Sequence, residues 1–252
     1  MKNLFDLTGK VAIVTGSSRG LGQAICVALA ENGANVVGVS QSSSEETKSL
    51  VEKAGGKFAW VKADLTTLEA VDEIINTAKE TFGRVDILVN NAGTIRRADA
   101  VDYTEKDWDD ILNLNLKTAF FLSQRVAKEF MEQKQGGKIV NIASMLTFQG
   151  GIRVPAYTAS KSAIGGVTKA LANEWAKYGI NVNAIAPGYM ATDNTQALRA
   201  DEKRSEEILS RIPAGRWGTP EDLMGAVVFL SSAASDYVNG HILAVDGGWL
   251  AR

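Results

Sequence analysis

Short runs of β-branched and other apolar residues alternate along the chain with longer stretches in which apolar residues recur at i, i+3 and i+4. The short runs are "KVAIVTG" (10–16), "NVVGVS" (35–40), "KFAWVKAD" (57–64), "VDILVNNAG" (85–93), "GKIVNIAS" (137–144), "INVNAIAPG" (180–188) and "HILAVDGG" (241–248). Each is nearly continuous in Val, Ile and Ala, as expected of strands covered on both faces. Stretches such as "LGQAICVALAENG" (21–33) and "LEAVDEIINTAKETFG" (68–83) have the helical period and end near glycine. Alternation at this spacing predicts an α/β fold: a doubly wound, parallel, seven-stranded sheet flanked by helices. No Pro/Gly/Ser-rich linker divides the chain, so residues 1–252 are read as a single domain.

Several runs end in polar or glycine-rich turns: "TGSSRGLG", "AD", "NNAG", "IAS" and "APG". Ligands of open α/β sheets bind beyond the carboxyl ends of the strands, so the unusual residues gather where a site is expected. In "TGSSRGLG" (15–22), Gly16, Gly20 and Gly22 remove side chains where the backbone turns into a helix. A helix N-terminus there offers N–H groups and partial positive charge to a diphosphate. Asp64, ending the third strand, suits an adenine amino group or an N-cap for a helix starting near Thr66 or Thr67. The second strand ends at Ser40 with no acidic residue to bind a ribose 2′-hydroxyl, and Arg19 points toward the same region. NAD and NADP both remain open on those residues.

Composition narrows the classes. The 252 residues are 45% apolar and 22% charged, as in a globular protein, and 27 basic against 29 acidic residues leave a net charge of −2. That balance argues against a nucleic-acid partner. No apolar run is long enough to span a bilayer, and "MKNLFDLTGK" lacks the apolar core of a signal peptide, so a cytoplasmic location is expected. A single cysteine, Cys26, and a single histidine, His241, cannot form a His/Cys metal cluster, and no metal is expected. Cys26 falls in the apolar pattern of the first helix and His241 at the head of the last strand; both read as structural.

In "VPAYTASKSA" (154–163), Tyr157 and Lys161 stand four residues apart behind Pro155. Proline suits the first turn of a helix, and i, i+4 side chains share a face. Such a pair is either an exposed helix pair or a phenol whose pKa, about 10 when unperturbed, is lowered by the ammonium. Ser144, at the end of the fifth strand, is placed to hydrogen-bond a carbonyl oxygen and stabilise its developing charge.

"TGSSRGLG", "NNAG", Asn115, Ser144, "YTASK" (157–161) and "PGYMAT" (187–192), in this order, resemble the short-chain dehydrogenase/reductase family along its whole length. The resemblance implies a Rossmann-type domain, a homotetramer, and hydride transfer between a nicotinamide and a carbonyl or alcohol. It implies a catalytic set of Asn115, Ser144, Tyr157 and Lys161, with Tyr157 as acid or base, Lys161 also on the nicotinamide ribose, and Asn115 in a proton relay through water. For the cofactor it implies Gly16, Ser18, Arg19, Gly20, Leu21 and Gly22 of the first turn, with Ser40, Asp64 and Leu65. Asn91, Ala92 and Gly93 would run beside the adenosine ribose, and Pro187, Gly188, Met190 and Thr192 around the carboxamide. The resemblance favours NAD, against the neutral end of the second strand.

Arg96 and Arg97 follow "NNAG", and Gln149 and Arg153 follow Ser144. Arginine binds a carboxylate through two parallel hydrogen bonds, so these loops suggest a small anionic substrate, with Gln149 and Gly150–Gly151 leaving room for a hydroxylated chain. The segments "GGIRVPAYTASKSA" (150–163) and "AASDYVNGHILAVDGGWLAR" (233–252) are similar to family members acting on sugar acids, which implies reduction of a 2,5-dioxo-3-deoxy hexonate at C5 or its reverse. Rival activities are oxidation of gluconate at C5 and reduction of 3-oxoacyl thioesters on a carrier protein; a rival class is a nicotinamide-binding regulator without catalysis. Residues 189–217, before a helix starting near Pro220, carry the charged run "LRADEKRSEEILSR" at helical spacing and read as a substrate lid or a solvated helix face.

Overall fold

A computed structural model describes residues 3–252. The seven strands are β1 (Val11–Thr15), β2 (Asn35–Ser40), β3 (Phe58–Lys62), β4 (Ile87–Asn90), β5 (Gly137–Ile142), β6 (Ile180–Pro187) and β7 (Ile242–Val245). All pair in parallel, in the order β3-β2-β1-β4-β5-β6-β7. Because the chain winds outward on both sides of β1 and β4, the crossover helices part there and leave a crevice beyond the strand ends.

The central strands divide their side chains between two layers. From β1, Val11 and Ile13 pack with Ile74, Ile75, Leu122, Phe130 and Trp175, which belong to α3 (Val71–Phe82), α5 (Thr118–Gln133) and α6 (Pro155–Trp175). Ala12 and Val14 pack on the other face against Ile25, Leu29, Val51 and Val227, from α1 (Gly20–Glu31), α2 (Glu45–Lys53) and α9 (Met224–Ser231). Two buried faces explain why the strand sequences are continuous rather than alternating.

The third helix starts later than the spacing suggests. Asp64 accepts hydrogen bonds from the backbone N–H and the hydroxyl of Thr66 (2.9 and 2.8 Å), closing a local turn, and α3 begins only at Val71. Asp64 is therefore not the N-cap of α3. Pro155 does occupy the first turn of α6. Between α4 (Glu105–Leu112) and α5, residues Asn113–Lys117 form a π turn, and Asn115 is buried in it. Single π turns of this kind mark places where a helix is re-aimed.

Residues 189–217 contain α7 (Gln196–Ala200) and α8 (Glu202–Leu209), the latter mostly exposed with Ile208 turned inward. The segment is anchored on aromatic contacts: Tyr189 packs edge-on against Trp217 and Trp249, with centroids 5.5 and 4.8 Å apart, and Arg211 lies 4.0 Å over Trp249. Cys26 is fully buried and burial pushes its thiol pKa up, so it is a core side chain. His241 sits exposed ahead of β7, its backbone N–H bonded to Asn183. Among the described residues no helix is long and apolar enough to cross a membrane.

Candidate active site

A cavity of about 690 Å³ opens beyond the carboxyl ends of the central strands. Its wall holds Gly16, Ser18, Arg19, Gly20, Leu21 and Gly22 from the first turn, Ser40, Asp64 and Leu65 at one end, and Asn91, Ala92 and Gly93 beneath. Ser144, Tyr157, Lys161, Pro187, Gly188, Met190 and Thr192 close the other end. Residues from six strand ends thus converge on one space.

The glycine turn is braced from below. Asn91 Nδ2 donates to the Thr15 carbonyl (2.8 Å) and the Gly16 carbonyl (3.3 Å), and the N–H groups of Asn91 and Ala92 donate to Thr15 Oγ1 (3.0 and 2.9 Å). Gly16 has φ 69°, and a Cβ there would sit 2.8 Å from Asn91 Nδ2; a Cβ on Gly22 would overlap the Gly16 carbonyl oxygen. The first helix begins at Gly20 without a side-chain cap. Its free N–H groups face a wall from which side chains are missing, and that arrangement fits the diphosphate of a dinucleotide. The wall that follows, from Ser40 and Asp64 across the turn to Tyr157, fits an extended dinucleotide laid over the strand ends.

At the chemistry end, Lys161 is buried (5% exposed) and its Nζ donates to the Ile142 carbonyl at 2.6 Å. It lies 5.7 Å from the centroid of the Tyr157 ring. Burial lowers the Lys161 pKa to about 8. Tyr157 is raised above its usual value: burial dominates, while the Ser144 hydroxyl and the charge of Arg97 act in the opposite sense. The lowering of Tyr157 by Lys161 anticipated from the i, i+4 spacing is thus not found. The ammonium turns to a carbonyl at the end of β5, and the phenol stays protonated near neutrality.

Ser144 is at once a candidate for the reaction and a cap. Its Oγ accepts the Leu146 N–H (3.2 Å), opening a short turn at Met145–Thr147 whose Thr147 hydroxyl donates to the Lys161 carbonyl at 2.8 Å. Asn115 lies behind the wall rather than in it. Its amide accepts from Thr94 N (2.9 Å), donates to Thr94 O (3.0 Å) and donates to Ser160 Oγ (3.2 Å), which in turn donates to the Tyr157 carbonyl (2.8 Å). The amide thereby fixes the loop after β4 to the helix that carries Tyr157.

The arginines separate. Arg96 lines the cavity, donating to Thr94 Oγ1 (3.1 Å), with Asp107 at 3.7 Å. Arg97 acts on Tyr157 through its charge and donates to the Asn194 carbonyl at 3.2 Å. Arg153, at φ 65°, is paired with Asp99 at 2.8 Å and is not in the wall. Gln149 accepts from Trp249 Nε1 (3.3 Å) and is also outside it. The structure does not bring these two expected substrate residues to the cavity, because the 148–153 loop folds back toward Asp99 and Trp249.

Thr15, Thr94 and Ser160 were not visible as site residues in the sequence. Only the strand register and the turn at 94 reveal them, although a hydroxyl ending the first strand was a signal for Thr15.

A family profile described as Enoyl-(Acyl carrier protein) reductase matches residues 16–250. The chain is 61% identical over 250 residues to 2-dehydro-3-deoxy-D-gluconate 5-dehydrogenase of Dickeya dadantii, covering 99% of each sequence. It superposes with TM-score 0.95 and 56% identity, over all of both chains, on an Agrobacterium tumefaciens crystal structure provisionally named 2-deoxy-D-gluconate 3-dehydrogenase, which has NADP bound. A gluconate 5-dehydrogenase from Burkholderia cenocepacia in complex with NADP and tartrate is similar at TM-score 0.92 and 37% identity, covering 99% of this chain and 98% of that one.

Proposed function

The chain belongs to the short-chain dehydrogenase/reductase family, and from that premise we propose that it is an NAD(P)-dependent oxidoreductase of a sugar acid. The reaction is reduction of the C5 carbonyl of a 2,5-dioxo-3-deoxy hexonate, or oxidation of 2-dehydro-3-deoxy-D-gluconate in reverse. The observation that carries it is the meeting, at one end of a dinucleotide-sized cavity, of a protonated phenol, a serine hydroxyl, a buried lysine and the Arg96 side chain, with the charge of Arg97 reaching the phenol from outside the wall. The identity with the Dickeya enzyme supports the choice of acid.

When bound, the nicotinamide supplies or accepts the hydride. Tyr157 Oη gives its proton to the carbonyl oxygen as that oxygen gains negative charge, and takes it back in oxidation. Ser144 Oγ donates a hydrogen bond to the same oxygen and stabilises the charge there. Lys161 keeps a buried ammonium 5.7 Å from the Tyr157 ring, where it would hold the nicotinamide ribose beside the phenol. Asn115 keeps the Thr94 turn and the Tyr157 helix in register.

Arg97 is the residue we place on the substrate carboxylate. It is close enough to influence Tyr157, whereas Arg153 is engaged with Asp99 and Arg96 with Thr94 and Asp107. Its bond to Asn194 also ties it to residues 189–217, which close over the substrate in this reading. Replacing Arg97 by alanine should raise KM for the sugar acid roughly tenfold to a hundredfold, as expected for loss of a charge-assisted bidentate contact, with a smaller change in kcat. Lysine at this position should recover part of the loss. An unchanged KM in the alanine variant would place the carboxylate elsewhere.

A homotetramer belongs to the same reading. Trp108 on α4 and Phe121 on α5 stay partly exposed, and a neighbouring chain would cover them in this reading. Light scattering that gave the mass of a single chain at micromolar concentration would remove this part.

A further inference from the structure

The end of β2 carries a closed set of hydroxyl hydrogen bonds. Ser40 Oγ donates to the Ser42 carbonyl at 2.7 Å and receives the indole N–H of Trp60 at 3.0 Å. It also lies 2.9 Å from Ser44 Oγ, which lies 3.1 Å from Ser17 Oγ in the glycine turn. A hydroxyl has one proton and two lone pairs. Since the proton of Ser40 goes to Ser42, Ser44 must donate to Ser40, and Ser17 in turn to Ser44. Both lone pairs of Ser40 are then filled, one by Ser44 and one by Trp60. All three serines are buried.

Ser40 nevertheless forms part of the cavity wall, at the position where a dinucleotide places the 2′ oxygen of its adenosine ribose. A saturated hydroxyl can neither accept from a 2′-hydroxyl nor donate to a 2′-phosphate. Gln41 and Ser42, which follow Ser40 in the wall, carry no carboxylate, and the nearest one, Asp64 at the end of β3, is held by the backbone N–H and hydroxyl of Thr66. An acidic residue at the end of β2, the usual acceptor for the ribose diol of NAD, is therefore missing, and the hydroxyl that stands in its place is occupied by Trp60.

Resting on the nicotinamide reading above, we propose that Trp60 is a positioning residue for cofactor selectivity: by filling the second lone pair of Ser40 it withholds an acceptor from the 2′-hydroxyl of NAD and keeps the site open to NADP. Trp60 comes from β3, where its neighbour across the ladder is Gly38, and acts through Ser40 without touching the chemistry. Removing the indole N–H frees a lone pair at the cavity edge. A 2′-hydroxyl can donate to that lone pair, and a phosphate, which offers only acceptors, cannot.

Calorimetric titration of the full-length protein with NAD and with NADP, without substrate, tests this independently of turnover. In Trp60→Phe the ratio of the NADP to the NAD dissociation constant should rise roughly threefold to tenfold, the range for one neutral hydrogen bond. The double variant Trp60→Phe/Ser40→Ala should lose that shift, because the freed acceptor is gone. Where the phenylalanine variant does not fold, Trp60→Tyr, which also lacks the indole N–H, should shift the ratio in the same direction. A ratio unchanged in the folded variant, with both dinucleotides still bound, overturns the role of Trp60. Failure of the unaltered protein to bind either dinucleotide overturns the nicotinamide reading beneath it.

Discussion

Tyr157→Phe is expected to lower kcat/KM for the sugar acid by roughly a thousandfold, within the range for removal of a positioned general acid. The change deletes one oxygen from a half-buried ring and leaves Ser144, Lys161 and the Asn115–Ser160 bond in place. Dinucleotide binding should be nearly unaltered, so the loss falls on the chemical step. Burial holds the phenol above its usual pKa, which keeps it protonated near neutral pH and makes carbonyl reduction the direction it is prepared for. Oxidation needs the phenolate, so its rate should climb as pH rises while reduction does not. Initial rates in both directions across pH measure this. A phenylalanine variant within tenfold of the unaltered protein would remove Tyr157 from the reaction.

The second large effect is at Lys161. Lys161→Met should cost roughly a hundredfold or more in kcat/KM, since the buried ammonium proposed to hold the nicotinamide ribose beside Tyr157 is lost. Burial sets the Lys161 pKa at about 8, so the ammonium predominates below that pH and is lost above it. The sign follows directly: the rate of carbonyl reduction, for which the phenol is already protonated, should fall as pH rises through about 8 with loss of the ammonium, and the methionine variant should lack that fall. A buried ammonium carries a desolvation cost that methionine does not, so the melting temperature should not drop in proportion to the activity. A variant with the same alkaline limb as the unaltered protein would mean that another group titrates there.

The strands were legible because burial on both faces writes a continuous apolar run, and all seven runs became strands. Pro155 and the spacing from Tyr157 to Lys161 gave the helix that carries them. The direction of the lysine was not legible. A four-carbon side chain one turn from a phenol can meet the ring or a neighbouring strand, and the carbonyl of Ile142 decided it. The start of α3 was misread because the Asp64 carboxylate satisfies Thr66 instead of a helix. Gln149 and Arg153 are near Ser144 in sequence, yet a left-handed backbone at Arg153 and the pull of Asp99 turn that loop from the cavity. Trp60 gave no signal, because its partner lies on the adjacent strand and only the β2–β3 register brings the two together.

The most direct measurement is the initial rate of reduced-nicotinamide formation with 2-dehydro-3-deoxy-D-gluconate and with D-gluconate, each with NAD and with NADP. Turnover of the deoxy keto acid well above that of gluconate, abolished by Tyr157→Phe, is the expected result. Oxidation of gluconate without detectable turnover of the deoxy keto acid, with either dinucleotide, would contradict the proposed substrate.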